Sequence, residues 1–168
     1  MVSSPEPLAK ERDLSQFDCG KAPLTDWLKK YALQSQSSGQ SRTMVICDPA
    51  RVVIGYYSFS VVSVEHAEST PERVKAGLAR HPIPIFLLAR LARDSKFRGQ
   101  QLGERLLLHA LRRAALLAAE VPLRAVVVDA LDESAKQFYA SFDFVPWPLD
   151  GLRMWIIMKD LQKTLNEK

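Results

Sequence analysis

The stretch that decides the fold is IFLLARLARDSKFRGQQLGERLLL, residues Ile85–Leu108. Its first part, Ile85–Ala92, is an apolar run of strand character, and Ile85–Leu88 suits a central strand buried on both faces. A short basic connector follows, and a leucine-rich helix takes over from about Gln100. At the junction sit Arg98-Gly99-Gln100-Gln101-Leu102-Gly103. A strand that turns through glycines into a helix leaves the first backbone N–H groups of that helix without intrahelical partners. It does so at the end where the helix dipole favours negative charge. Such a turn cradles a phosphate or pyrophosphate, and Lys96, Arg98 and Arg105 carry charge of the matching sign. The sequence therefore predicts a site for a phosphorylated cofactor.

Working outward, Leu24, Trp27, Leu28, Tyr31 and Ala32 fall at helical spacing behind Pro23, which predicts an early amphipathic helix. It should dissolve into SQSSGQSR, a polar loop at residues 35–42. Thr43–Cys47 and Val52–Val64 are β-branched and aromatic runs split by Asp48-Pro49-Ala50-Arg51, the pattern of a hairpin. Thr70-Pro71-Glu72 has the N-cap and first-turn chemistry of a helix that ends before His81-Pro82. After the decisive stretch come a helix to about Ala119, a strand Arg124–Ala130, a helix capped by Asp132 and running to about Phe142, a strand Arg153–Met158 and a polar tail. Strands dominate early and alternate with helices later. The expected class is α/β in the mixed α+β sense, a mixed sheet with helices on both faces.

The 168 residues fit one domain, with 47% hydrophobic and 25% charged residues as in an ordinary globular chain. No run reaches the ~18 apolar residues of a membrane span, and MVSSPEPLAKERD has no apolar secretory region, so the expected compartment is the cytoplasm. Cys19 and Cys47 lie far apart, without CxxC or His/Cys clustering, and read as free thiols rather than a disulfide or metal site. Charge is unevenly placed. Residues 73–113 hold ten Lys/Arg against Asp94 and Glu104, while each flank is net acidic. Together with the glycine turn, that basic segment is a candidate polyanion site. His66, His81 and His109 have no partners at ligand spacing and read as packing or surface residues.

Arg98 and Gly103 are the first and last positions of a Gln/Arg-x-x-Gly-x-Gly/Ala pyrophosphate motif, with Gln101 at its middle glycine. Ala130-Leu131-Asp132-Glu133-Ser134-Ala135-Lys136-Gln137-Phe138-Tyr139 matches a second signature, a tyrosine on the helix after the next strand. On these residues the chain resembles the GNAT superfamily of acetyl-coenzyme A-dependent N-acetyltransferases. Phe17-Asp18-Cys19-Gly20 with Trp27-Leu28, Ser38-Gly39-Gln40-Ser41-Arg42-Thr43 and Gly55-Tyr56-Tyr57 resemble one subgroup, the acetyltransferase toxins of type II toxin–antitoxin modules. The likeness runs from about residue 8 to 158, within a single domain of residues 1–168. Two positions depart from the family's glycine: Gln101, which could still offer its N–H at negative φ, and Asp143 in Phe142-Asp143-Phe144.

The resemblance implies a GNAT-like, mostly antiparallel central sheet, acetyl-CoA as cofactor, and transfer of acetyl to the α-amine of aminoacyl-tRNA, which blocks translation. It implies Tyr139 as general acid. Leu91, Ala92 and Arg93 would pair with the pantetheine arm. Arg98, Gly99, Gln100, Gln101, Leu102, Gly103 and Glu104 would hold the pyrophosphate, with Phe138 also at the cofactor. Arg42, Arg90, Lys96 and Arg93 are candidates for the tRNA backbone. No metal, no membrane, a homodimer and an antitoxin partner that can bind DNA complete the expectation. An α-amine, with a pKa of about 7.7–8.0, needs little help to be neutral, whereas a lysine amine near 10.4 needs a base that the motif lacks. Two alternatives stay open: acetylation of a small amine or protein N-terminus, and a GNAT-like scaffold without catalysis that serves as a co-repressor.

Overall fold

The computed structural model describes residues 2–168. Its strands are β1 (Glu6–Pro7), β2 (Arg42–Cys47), β3 (Val53–Val64), β4 (Ile83–Arg93), β5 (Ala125–Asp129), β6 (Val145–Trp147) and β7 (Asp150–Ile157). Its helices are α1 (Ala22–Lys30), α2 (Ala32–Ser37), α3 (Glu72–Lys75), α4 (Leu102–Ala118), α5 (Glu133–Ala140) and α6 (Met158–Glu167). The strands form one sheet in the order β1-β2-β3-β4-β5-β7-β6, so the expected central strand is the fourth of seven. Pairing is antiparallel for β1–β2, β2–β3, β5–β7 and β6–β7, and parallel for β4–β5. This is the mixed α+β, mostly antiparallel architecture anticipated above.

The chain divides into two compact units, residues 1–60 with 89–110 and residues 61–88 with 111–168. In the first, consecutive tyrosines on β3 point to opposite faces, as pleating requires. Tyr56 is fully buried, edge-on to Phe17 and stacked on Trp27, and donates its hydroxyl to the Leu24 carbonyl of α1 at 2.7 Å. Tyr57 faces the other way and shares a 2.7 Å hydrogen bond with His109 Nδ1 on α4. Helices therefore cover both faces here, and His109 has a partner that sequence spacing did not reveal. Gly55, just before the tyrosines, carries no side chain because a Cβ there would come within 3.0 Å of Leu106 on α4.

In the second unit every residue of Ala125–Val128 is buried, the signature of a strand covered on both faces. Val74, Ile83, Ile85, Ala125, Val127, Trp155 and Ile157 form one core cluster. Arg124 ties the end of α3 to this core by donating to the carbonyls of Arg73, Val74 and Ala76 at 2.8–3.1 Å. A cation at a helix C-terminus meets both the dipole and the orphan carbonyls.

Several local expectations are corrected. Residues 35–37 are helical rather than loop, because the chain winds a further turn before Gly39 (φ 79°) ends it. The helix after Thr70 is one turn only. Thr70 does not cap it, since its hydroxyl donates to the Glu65 carbonyl at 2.6 Å. The polar tail is the helix α6, whose Leu161 and Thr164 are buried at helical spacing. The two-residue β1 and three-residue β6 are too short to leave a periodic signal. Among the described residues no helix is long and apolar enough to cross a membrane.

Gly55→Val places two methyl groups against Leu106. The expected loss is about 1–3 kcal/mol of stability from overpacking, read as a lower urea midpoint with an unchanged m-value.

Candidate active site

The parallel ladder between β4 and β5 spans Ile85–Leu88 against Ala125–Val128 and goes no further, while β4 continues to Arg93. The backbone groups of Ala89–Arg93 on that side are left without a strand partner among the described residues. An unpaired N–H and C=O edge is a template for an extended, amide-bearing ligand. Leu91, Ala92 and Arg93, the predicted pantetheine contacts, occupy it.

Asp94 then starts a single 3₁₀ turn, Ser95–Phe97, and Arg98 leaves that turn extended and exposed. Gly99 has φ 82°, which favours glycine, and Gln100 donates its N–H to the Phe97 carbonyl at 3.4 Å. The Gln101 carbonyl accepts the first helical bond, from Arg105 N–H at 3.0 Å. Leu102, Gly103 and Glu104 thus stand in the first turn of α4, where N–H groups have no intrahelical partner. Leu102 is buried and anchors the turn, while Gln101 and Glu104 are exposed. These residues fit an anion cradle. One expectation is corrected: Gln101 has φ 58° rather than a negative value, so it adopts the conformation that the family's glycine would supply without strain.

Arg90 is half-buried, with its guanidinium carbon 4.1 Å from the centroid of Trp27 on α1. Burial lowers its pKa and the nearby Tyr56 hydroxyl counters this. Arg42 and Lys96 are exposed, at the start of β2 and in the 3₁₀ turn. The Ser38–Thr43 motif leads into β2. Ser35 and Ser41 hydroxyls meet at 2.6 Å, and Gln36 Oε1 accepts from Thr43 N–H while its Nε2 donates to the Leu8 carbonyl. In Phe17–Gly20, Asp18 Oδ1 accepts from the N–H of Gly20, which has φ 82°.

Phe138 and Tyr139 belong to the second unit, on α5, whose first turn is capped by Asp132 Oδ1 accepting from Ala135 N–H at 3.0 Å. Tyr139 is 6% exposed, edge-on to Phe138 and Phe144 at 5.4 and 5.8 Å. Burial, with a smaller contribution from the Asp129 carboxylate, pushes the phenol pKa well above its ordinary value. The proton is therefore held at Oη across the physiological range. Asp129 is itself paired with Arg153 Nε and Nη2 at 2.8 and 3.2 Å. Asp143, at the other departure from glycine, has φ 72° and accepts from buried Thr164 Oγ1 at 2.7 Å, a bond that glycine could not make. Cys47 is buried, its pKa pushed up to about 11, and is inert as a thiolate. Among the described residues no three His, Cys, Asp or Glu side chains are grouped to hold a metal.

The family model of the GNAT acetyltransferase domain matches residues 40–146. The chain belongs to the GNAT acetyltransferase family. It is 38% identical to a tRNA-acetylating toxin of Mycobacterium tuberculosis (strain ATCC 25618 / H37Rv), over 98% of both chains. The structure of AtaT complexed with acetyl-methionyl-tRNAfMet superposes with a TM-score of 0.87 at 26% identity, covering 97% of this chain and 98% of that one. A mutant AtaT bound to the C-terminus of the antitoxin AtaR and acetyl-CoA gives 0.82 at 26% identity, covering 96% of both chains. As a GNAT enzyme this chain is an acetyl-CoA-dependent acyltransferase.

Left-handed backbone costs a non-glycine residue about 1–2 kcal/mol, while glycine returns about 0.4–1 kcal/mol through the entropy of the unfolded chain. Gln101→Gly should therefore stabilise the protein by roughly 0.5–1 kcal/mol, measured as a higher denaturant midpoint.

Proposed function

We propose that this chain is the toxin of a type II toxin–antitoxin module, moving acetyl from acetyl-CoA to the α-amine of aminoacyl-tRNA and so stopping translation. Full-length similarity to a tRNA-acetylating toxin carries this reading, and the unpaired end of β4 that runs into the α4 cradle supports it. In this reading residues 1–168 serve one catalytic domain. Leu91, Ala92 and Arg93 hold the pantetheine amides, and Arg98–Glu104 hold the pyrophosphate through backbone N–H groups and the Arg98 charge. Phe138 lines the cofactor. Arg42, Arg90 and Lys96 meet phosphates of the acceptor arm. The module works in the cytoplasm, with the toxin as a homodimer restrained by a DNA-binding antitoxin.

Acetyl-CoA supplies an activated acetyl thioester, whose C–S bond breaks as the bond to the amine nitrogen forms. A backbone N–H of the β4 edge polarises the acetyl carbonyl. Tyr139 Oη gives its proton to the departing sulfur, and the proton shed by the amine nitrogen restores the phenol through solvent. A phenol whose pKa is raised is a weak acid, yet the same burial disfavours a free thiolate. Transfer therefore coincides with cleavage rather than following it. The amine needs no strong base, because esterification of the neighbouring carboxyl draws its pKa below the usual 7.7–8.0 or so.

The experiment follows labelled acetyl from acetyl-CoA into charged tRNA, free amino acids and polyamines. Transfer to charged tRNA alone is expected, and transfer to the small amines instead overturns the proposal. Tyr139→Phe should cut kcat about 10²–10⁴-fold with acetyl-CoA binding intact. Arg90→Ala should raise KM for charged tRNA and lower the slope of log K against log salt by about one, the signature of one lost phosphate contact.

A further inference from the structure

Asp94 is the buried carboxylate whose bonding the reaction does not explain. It is 3% exposed and has no cationic partner among the described residues. Its oxygens are occupied by backbone alone: Oδ1 accepts from Lys96 N–H at 2.9 Å and Oδ2 from Asp18 N–H at 3.1 Å. Its own N–H donates to the Ile54 carbonyl of β3 at 2.8 Å, and its carbonyl accepts from Phe97 N–H at 3.0 Å. Ser95 adds two more ties, its N–H and hydroxyl both donating to the Asp18 carbonyl at 3.0 and 2.9 Å.

An unpaired buried carboxylate is costly and persists only where hydrogen bonds to the charged form replace its water. Together with the Asp94 N–H bond, they join three segments at one point: the Phe17–Gly20 loop, the start of β3 and the connector. Position in the chain gives the arrangement its meaning. Leu91–Arg93 end immediately before Asp94, and Arg98–Glu104 begin immediately after the 3₁₀ turn that Asp94 caps. The carboxylate stands between the strand edge assigned to the pantetheine amides and the cradle assigned to the pyrophosphate.

We propose that Asp94 is a positioning residue for acetyl-CoA: it touches no part of the cofactor but sets the spacing and angle between the β4 edge and the pyrophosphate cradle. This rests on the assignment of Arg98–Glu104 as that cradle. An asparagine is isosteric but accepts through one oxygen only, turning an amide N–H₂ toward either Asp18 N–H or Lys96 N–H. The connector must then shift.

The test compares acetyl-CoA with S-acetylpantetheine, which carries the thioester and both amides but no pyrophosphate. A misplaced cradle costs affinity only to the ligand that reaches it. Asp94→Asn should raise KM for acetyl-CoA about tenfold to a hundredfold, with kcat for acetyl-CoA and KM for S-acetylpantetheine nearly unchanged. Ser95→Ala should move the same ratio in the same direction by a smaller factor, and it decides the matter if Asp94→Asn does not fold. Val74→Ala, a truncation in the separate core cluster of the second unit, should lower the melting temperature without changing the ratio. If the two KM values rise together, or the ratio follows melting temperature across all three variants, Asp94 is merely structural and the proposal is overturned. Gly103→Val separates the two assignments. An unchanged acetyl-CoA KM in that variant removes the cradle, whereas a raised KM beside a silent Asp94→Asn removes only the role of Asp94.

Discussion

The constraint on which the site depends is the hydrogen bonding of β4 beyond Leu88. A strand whose ladder with its neighbour stops while its backbone stays extended leaves N–H and C=O groups that must find other partners. β4 keeps its course to Arg93 because β3 still flanks it and because the Asp94 N–H is held by the Ile54 carbonyl. The other side is left to water or to a ligand with amides of its own. Three residues of 3₁₀ turn and a glycine at positive φ then bring the chain to the first N–H groups of α4. One continuous segment thus carries an unpaired strand edge followed by a helix N-terminus, an order that a ligand bearing both amides and phosphates would have to match.

The first unit is organised to keep that segment rigid. Tyr56 and Tyr57 send aromatic anchors to opposite faces of β3, one bonded to α1 and the other to α4, so strand and helices cannot slide independently. Just before them, Gly55 lets α4 approach closely enough for Leu106 to fill the space where a side chain would stand. Trp27 serves this same packing and also carries Arg90 on its face. A guanidinium stacked in this way loses little freedom when it meets a phosphate, which suits a fixed contact better than a loose surface lysine does.

Much of this was legible in the residues. The apolar run before a glycine turn announced both the central strand and the helix N-terminus. Asp132 declared its cap through spacing alone, and Tyr139 lay on the expected helix. What escaped did so for physical reasons. β1 and β6 are held by tertiary pairing rather than by any periodic pattern of their own. α6 looked like a polar tail because few of its positions are buried, and only Leu161 and Thr164 betray the turn spacing. Asp94 reads in sequence as one acid among ten bases. Its significance comes from a loop 76 residues away, which no local pattern reports. The φ of Gln101 could not be inferred because glutamine rarely adopts that conformation, and the turn overrides the preference.

Gln101 and Asp143 show two ways of doing without glycine. Asp143 recovers part of the left-handed penalty through its bond to Thr164, which also fastens α6 to the turn after α5. Glycine there would relax the backbone but lose this tie to α6, so the aspartate is a working substitute. Gln101 is exposed, and among the described residues no side-chain bond returns its cost. Backbone strain without local compensation persists only where the surroundings over-determine the conformation. Here Leu102 is buried on one side of Gln101 and the connector is fastened by Asp94 on the other. The same fastening that holds Gln101 in its unfavourable φ holds the first N–H groups of α4 in place before any ligand arrives. Rigidity at the cradle and strain at Gln101 are therefore two readings of one set of bonds.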